Sequence, residues 1–220
     1  MDQVSGDSLP GDAFSKFGEL DPVLKGAIAA IQDPSQPHPP ASQVVAALVA
    51  LEKTTKAAHF RYNYGQLLGT WRLGFVTGTR KGQGRKGIAL GKGFFLPDWV
   101  KATLTYRDRP LPPWAGFGAA PLEQTSVFNR VQWGAIALEV SGPTQLHQGR
   151  MLGFDFTRLQ VDLGGWYPYR GAMGRGVKGE ANFYDRGVKN QAFFTYFWVS
   201  PQAIAARGRG GGFALWVSYP

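Results

Sequence analysis

The sequence predicts a mainly β protein: an antiparallel barrel of about eight strands, preceded by a pair of helices. Apolar residues recur at helical spacing before residue 60, whereas short alternating segments recur after residue 66. Thirty glycines and fifteen prolines indicate many turns. With 220 residues and 44% hydrophobic content, the chain can bury the core of one domain. We expect a mobile tail over residues 1–19, a helical lead-in over 20–60 and a barrel over 61–220.

Two helices are expected in the lead-in. Asp21 and Pro22 provide an N-cap and a proline at the first helical position of a helix that reaches about Gln32. Four prolines within residues 33–40 cannot continue it. Ser42 is expected to cap a second helix, which ends near Ala58. We expect this helical pair to pack against the outside of the barrel or to plug one of its mouths.

The first strand is predicted over residues 66–78. Its polar and apolar residues alternate, as they do in a half-buried strand. The alternation places Leu67, Gly69, Trp71, Leu73 and Phe75 on one face. Gly69 and Trp71 also resemble the opening of a lipocalin-like barrel, in which the glycine lets the indole lie across the barrel floor. The pattern alone is weak, because any sheet can bury a tryptophan beside a glycine.

Seven further segments are predicted as strands from their alternation or apolar content. They cover residues 100–107, 124–130, 135–140, 151–163, 177–185, 191–199 and 212–219. Together with the first strand they make eight, near the number whose interior holds side chains or one small ligand. The strand over 191–199 is apolar on both faces, so we expect one face to meet the helices and the other to enter the barrel.

The first strand and the last hairpin together resemble the plastid lipid-associated protein, or fibrillin, family. Members open their barrel with a Gly-x-Trp-x-Leu strand, as at Gly69 and Trp71, and close it with an Arg-Gly-x-Gly-Gly turn. The matching turn residues here are Arg207, Gly208, Gly210 and Gly211. The resemblance covers about residues 20–220 and fits the cyanobacterial type. It departs at Arg209, where the family usually has Asp.

The resemblance implies a lipocalin-like barrel that is not an enzyme and requires no cofactor. It implies binding or carriage of a lipid, a carotenoid or an isoprenoid quinone, with peripheral association to thylakoid membranes or lipid bodies. It also implies an anionic membrane surface and photosynthetic membrane proteins as partners. The expected location is the thylakoid surface or the cytoplasm of a cyanobacterium, or the plastid for a mature eukaryotic chain.

Six residues are the candidates for ligand binding or for the barrel floor. They are Trp71, Phe75, Asp155, Phe194, Trp198 and Arg207. Asp155 alternates with apolar neighbours, so we expect it to point inward, either paired with an arginine or acting as a general base. The second role would make the protein a chromophore lyase or cyclase, which stays open as an alternative.

The membrane-contact candidates are cationic and aromatic. Residues 1–60 hold four Lys or Arg against seven Asp or Glu, whereas residues 61–220 hold twenty against eight, so the barrel is the basic part. A basic surface attracts anionic lipid or nucleic acid, although scattered charges also simply maintain solubility. The aromatic cluster over 164–170 is expected to line the opposite mouth. The candidates are Arg80, Lys81, Arg85, Lys86, Phe94, Phe95, Trp99 and Trp114.

Several other classes of site lack support in the sequence. The absence of cysteine excludes disulfides and thiolate metal sites, and the three histidines lack metal-ligand spacing. No run approaches the roughly 18 apolar residues of a membrane span, and the N-terminus does not resemble a secretory signal. Arg207–Gly211 resembles an RGG segment and leaves an RNA-binding module as an alternative. An apolar strand follows directly, which favours a turn over a disordered arm.

Overall fold

The computed structural model describes residues 19–81, 88–112 and 124–220, without the side chains of residues 80, 81, 88 and 89. Within these ranges it contains three α-helices and eleven strands. The helices are α1 Pro22–Gln32, α2 Ala41–Ala57 and α3 Gly176–Ala181. The strands are β1 Gly69–Lys81, β2 Ile88–Phe95, β3 Lys101–Arg107, β4 Thr125–Trp133, β5 Ile136–His147, β6 Met151–Phe154, β7 Arg158–Leu163, β8 Trp166–Ala172, β9 Ala192–Val199, β10 Ala203–Gly208 and β11 Phe213–Tyr219.

Eight of these strands close into an antiparallel barrel, as the sequence predicted. The ring runs β4-β3-β1-β11-β10-β9-β6-β5 and returns to β4 through an unbroken β4–β5 ladder. Strand β2 pairs only with the second half of β1, while β7 and β8 continue the sheet beyond the first half of β5. A lipocalin-like barrel fits this arrangement, and the expected fold class is confirmed.

One end of the barrel, where β1 begins, is closed by the linker that follows α2. A short 3-10 helix, Tyr64–Leu67, is capped at Asn63 and places Leu67 in the inner core. The Trp71 indole N–H donates to the Leu67 carbonyl at 2.7 Å. Gly69 has a φ of +115°, a conformation that L side chains rarely adopt, so a glycine is needed where the linker enters the strand. We call this the closed end and the other the open end.

The closed half of the lumen is filled by side chains. Tyr106 on β3 and Tyr196 on β9 come from opposite sides of the ring, and their hydroxyl oxygens lie 2.7 Å apart in a hydrogen bond. Both tyrosines are fully buried, and burial raises the pKa of each phenol well above its ordinary value. The Phe194 and Trp216 rings, 5.4 Å apart, pack beside them. The same residues that make the interior apolar therefore also occupy it.

The two N-terminal helices pack on the outside of the barrel, which was one of the two expected positions. Asp21 caps α1 as predicted, and its carboxylate accepts from the Val23 N–H at 2.8 Å. Ser42 was the wrong cap for α2, because Pro40 already holds a φ of −53° and the helix begins at Ala41. The helices share a core with the outer faces of β1, β9, β10 and β11.

The strand predicted over residues 177–185 is wrong. This segment contains α3 and a turn, entered through Gly174 and Gly176, which both have positive φ. The alternation of Val177 with its neighbours therefore did not reflect a strand.

The strand predicted over residues 151–163 is divided into β6 and β7. Between them the backbone crosses Gly142 so closely that a Cβ there would lie 1.6 Å from the Asp155 carbonyl oxygen. The sequence analysis also missed β2, β8 and β10. Strand β10 is rich in alanine, which has low strand propensity, and residues 203–206 are all buried.

Candidate functional site: an inverted apolar sheet at the open end

A four-stranded sheet extends from the wall of the barrel at its open end. It consists of residues 129–133 of β4, 136–140 of β5, β7 and β8, and we call it the projecting sheet. The β4–β5 and β5–β7 ladders show no register shift. Val127 of β4 belongs to the inner core, and alternate residues of a strand share a face. One face of the projecting sheet, its inner face, therefore continues the inner wall of the barrel.

The inner face of the projecting sheet is apolar except for Asn129, and no described segment covers it. Ten of its side chains are aliphatic or aromatic, and each is half-buried or exposed to solvent. Trp166 is 66% exposed and Leu138, in the middle of the sheet, is 39% exposed. The ten are Val131, Trp133, Ile136, Leu138, Val140, Leu159, Val161, Leu163, Trp166 and Tyr169.

The opposite, outer face of the projecting sheet is polar; it is buried along β7, half-buried along β4 and exposed along β8. Three of its polar residues are buried: Arg158, Gln160 and Asp162. Helix α3 and the segment after β3 cover this face. The Ser126 hydroxyl donates to the Arg109 carbonyl at 2.8 Å, and the Arg158 guanidinium donates to the Pro112 carbonyl. The sheet is thus inverted relative to an ordinary sheet, with polar residues inside and apolar residues facing solvent.

Ion pairs stabilise the polar face. Arg158 forms a bidentate ion pair with Glu180 of α3, with Nε–Oε2 and Nη2–Oε1 distances of 2.9 and 2.6 Å. The Asp162 carboxylate accepts from Arg130 at 2.7 Å, and this hydrogen bond lowers its pKa. Burial raises the pKa of Glu139 on the same face, partly offset by nearby arginines. Arg158 and Asp162 are therefore each held in an ion pair, and the carboxyl of Glu139 lies near arginines that favour its charged form.

The inner face meets the lumen at a partly exposed apolar rim. Leu73, Phe156, Phe194 and Ala214 pack against the inner core without being fully buried. The Phe154 ring lies 4.9 Å from Phe194 and 5.2 Å from Phe156. We call the rim and the inner face of the projecting sheet together the apolar wall of the open end.

The structure separates the six candidate ligand residues into different environments. Trp71 and Phe194 belong to the inner core or pack against it. Phe75 and Trp198 lie instead in the outer core under the helices. The reason for Phe75 is a register shift between Leu73 and Phe75, which turns the strand over after Gly74. Sequence alternation alone placed Phe75 with Trp71.

Arg207 and Asp155 each form an ion pair away from the lumen. Arg207 contacts both carboxylate oxygens of Glu52 on α2 at 2.6 Å, and its guanidinium lies 4.1 Å from the centre of the Phe213 ring. It therefore fastens α2 to the outside of the barrel rather than lying beside Trp71. Asp155 lies between β6 and β7, where its carboxylate accepts from Arg186 at 2.6 Å.

The remaining motif glycines lie in the hairpin that joins β10 and β11. Gly208 is the last residue of β10, and Gly210 and Gly211 belong to the turn that follows. Gly211 has a φ of +89°, and its carbonyl accepts from Arg207 at 2.6 Å. The Arg-Gly-x-Gly-Gly segment is thus a hairpin turn.

The membrane-contact candidates are only partly within the described residues. Arg80 and Lys81 are the last two residues of β1, at the open end, and only their backbone is described. Arg85, Lys86 and Trp114 lie outside the described ranges. Phe94 and Trp99 are exposed, at 53% and 71%. Phe95 is half-buried, and its ring lies 4.9 Å from that of Phe75.

Sequence reasoning missed the exposed apolar residues of β4, β5 and β7. It identified the alternation in residues 135–140, but it did not predict that the apolar side would face solvent. Alternation shows that two faces differ and does not show which one meets water. The aromatic cluster over 164–170 gave a partial signal, and it forms the turn into β8 and most of that strand. Its expected place at the opposite mouth was wrong, because it lies at the same end of the barrel as Arg80 and Lys81.

Comparison with known proteins found no relative: no family model, curated protein or solved structure matches the chain. None of the described helices combines the length and the hydropathy needed to cross a bilayer. No group of three or more potential metal-ligating side chains occurs in the described ranges. The geometry of the open end is therefore the basis for a functional proposal.

Proposed function

We propose that this protein binds an apolar small molecule, without catalysis, on the apolar wall at the open end of its barrel. The observation that carries the proposal is the inversion of the projecting sheet. Large exposed apolar surfaces on a folded protein mark sites that bind ligands, membranes or partners. The barrel fold is compatible with binding small apolar molecules, and the inverted sheet provides them with an accessible surface.

The shape of the wall favours an elongated ligand. Four strands spaced about 4.8 Å apart, each about six residues long, make a surface of about 15 by 20 Å. A polyene, an isoprenoid chain or an acyl chain can lie flat on such a surface. Because side chains fill the closed half of the lumen, we place the ligand on the wall rather than deep in the barrel. The proposed ligands are a lipid, a carotenoid or an isoprenoid quinone.

We extend the proposal to peripheral association with a thylakoid membrane or lipid body, from which such ligands would be exchanged. The resemblance to fibrillins and the basic barrel segment support this part. The lyase or cyclase alternative gains no support from Asp155, because Arg186 holds its carboxylate in an ion pair. Three of the ten apolar side chains on the inner face are aromatic and seven are aliphatic; because aliphatic side chains cannot stack on bases, this composition favours an acyl or isoprenoid chain over nucleic acid.

Native mass spectrometry with lipid and pigment extraction tests the proposal. The protein is purified from a photosynthetic host and from a non-photosynthetic host. We expect one apolar molecule per chain, which is lost in a Leu138→Asn/Val161→Asn variant because these two residues pair in the middle of the wall. Val49→Asn, an exposed position on α2, is the control and should retain the ligand. A folded protein that is empty from both hosts would contradict the proposal.

A further inference from the structure

We propose that two neighbouring hairpin turns at the end of the projecting sheet form a tip that inserts into the interfacial region of an anionic lipid bilayer. The tip comprises residues 133–136, which join β4 to β5, and residues 163–166, which join β7 to β8. The inference rests on the proposed function only in assuming that apolar molecules cover the inverted sheet. It adds which part of the protein enters the membrane, the tip, and which class of lipid it binds, anionic lipid.

The two turns are held side by side. Ile136 pairs with Leu163 across the β5–β7 ladder, and the Gly164 N–H donates to the Ala135 carbonyl at 2.8 Å. Gly134, Gly164 and Gly165 all have positive φ, which allows both turns to be tight. The tip is therefore a single rigid feature rather than two independent loops.

The tip presents four large apolar side chains to solvent. Trp133 and Ile136 come from one turn and Leu163 and Trp166 from the other, and all four are more than one-third exposed. The remaining residues of both turns are glycine or alanine. Tryptophan is enriched at membrane interfaces, where one part of its ring system contacts lipid and another contacts water.

Insertion of the tip would bury no unpaired charge. Its eight residues include no charged side chain. The nearest carboxylate, on Asp162, accepts from Arg130 and also from the Gly165 N–H at 2.8 Å. Desolvation of an ionised group is the main cost that opposes insertion of protein into a bilayer, and the tip avoids it.

Cations lie one to four residues behind the tip. Lys101 pairs with Gln132, the residue before Trp133, and Arg170 follows in β8 with its guanidinium 3.8 Å from the centre of the Tyr167 ring. Neither cation forms a salt bridge within the described ranges. An apolar tip with cations behind it matches the order of layers in an anionic bilayer, whose acyl chains lie beneath negative head groups.

Two other occupants fit the tip less well. A nucleic acid would find stacking surfaces only on Trp133 and Trp166, because Ile136 and Leu163, which lie between them, offer none and favour acyl chains. A second copy of the chain would add most simply to the edge strand β8. Pro168 lies in that strand, and a register shift between Val161 and Leu163 interrupts its ladder with β7. Prolines and bulges protect an edge from pairing. We therefore assign the tip to a lipid surface.

Vesicle co-sedimentation tests the assignment with phosphatidylcholine vesicles, either pure or mixed with phosphatidylglycerol. We expect the protein to bind the mixed vesicles. We expect Trp133→Ser/Trp166→Ser to weaken binding at least about tenfold, because each substitution removes a large apolar side chain that insertion would bury in the bilayer. Val49→Ser/Tyr219→Ser removes comparably exposed apolar groups far from the tip and should bind as the wild type does. Lys101→Gln/Arg170→Gln should weaken binding to mixed vesicles only, and added salt should abolish that difference.

Brominated lipids provide a second readout, since they quench tryptophans that enter the bilayer. We expect quenching in the wild type and its loss in the Trp133→Ser/Trp166→Ser variant. Unchanged vesicle binding by that variant would overturn the assignment. The assignment would also be overturned if the wild type bound no vesicles and instead formed a dimer, or bound RNA, and the Trp133→Ser/Trp166→Ser variant lost that dimer or that RNA. Vesicle binding through the tip by a protein that carries no apolar ligand would remove the proposed function and leave this inference intact.

Discussion

Single residues explain how an inverted sheet remains stable. Arg158 and Glu180 are among the most buried charged residues described, with side chains 1% and 8% exposed. Their contact joins β7 to α3, and the Thr157 hydroxyl adds a hydrogen bond to Glu180 at 2.9 Å. A buried charge pair is expensive to desolvate, but it is far more expensive to leave one member alone. The pair therefore fixes which face of the sheet is covered.

Removing one member of this pair should destabilise the protein strongly. We expect Arg158→Met to lower the free energy of unfolding by about 3–5 kcal/mol, because it leaves the Glu180 carboxylate buried without its partner. The double variant Arg158→Met/Glu180→Leu should lose less than the sum of the two single variants. Urea denaturation measures both. Lys25→Met, which breaks an exposed pair with Glu19, is the control and should change little. Additive losses would show that the two residues do not act as a pair.

At the scale of elements, the projecting sheet behaves as a surface although its composition is that of a core. Its strands follow the same alternation as the barrel wall, and only the covering elements differ. Helix α3 and residues 109–112 cover the polar face. In the barrel wall the apolar face is buried in the lumen. In the projecting sheet, beyond the rim, the apolar face is accessible to solvent.

This difference predicts that a Leu→Thr substitution changes the free energy of unfolding little on the projecting sheet and much in the barrel wall. Leu138→Thr on the projecting sheet should change the free energy of unfolding by no more than about 0.5 kcal/mol, since the side chain is already exposed. Leu152→Thr, at a fully buried position of β6, should cost more than about 2 kcal/mol. Thermal and chemical denaturation check this pair of values. A large loss from Leu138→Thr would mean that the inner face is buried.

Local sequence signals predicted the elements that local chemistry controls. The limits of α1 followed from Asp21 and from the prolines after Gln32, and the hairpin turn at 209–212 followed from its glycines. Tertiary effects decided the rest. The shift after Leu73 that turns Phe75 outward depends on α1, since a Cβ at Gly74 would lie 2.3 Å from the Ile31 side chain. The exposure of Leu138 depends on what the chain places over each face, which alternation does not encode.

At the scale of the whole molecule, the buried tyrosines link barrel stability to alkaline pH. Burial raises the pKa of Tyr64 to about 12 and that of Tyr62 further, and it also raises the pKa of Tyr106 and Tyr196. The folded barrel therefore holds these phenolic protons more tightly than the unfolded chain does. The resulting stability is complete below pH 10, the ordinary phenol value, and is lost as pH rises from there through the raised pKa values of the folded state.

Alkaline titration should therefore couple tyrosine ionisation to unfolding. We expect the tyrosinate absorbance of these four residues to appear together with loss of the β-sheet circular dichroism, above pH 10. The Tyr106→Phe/Tyr196→Phe variant should lose less stability between pH 10 and 12. Ionisation of all tyrosines near pH 10 in a barrel that stays folded would contradict the buried network.

The most direct measurement of the central claim is photo-crosslinking with a diazirine-bearing fatty acid, followed by peptide mapping. We predict adducts on β5 and β7, at Leu138, Val140, Leu159 and Val161, which an excess of unmodified fatty acid removes. The Leu138→Asn/Val161→Asn variant should show no such adducts. Competed adducts confined to the helices α1 and α2, or none at all on the folded protein, would contradict the claim that the inverted sheet is the binding surface.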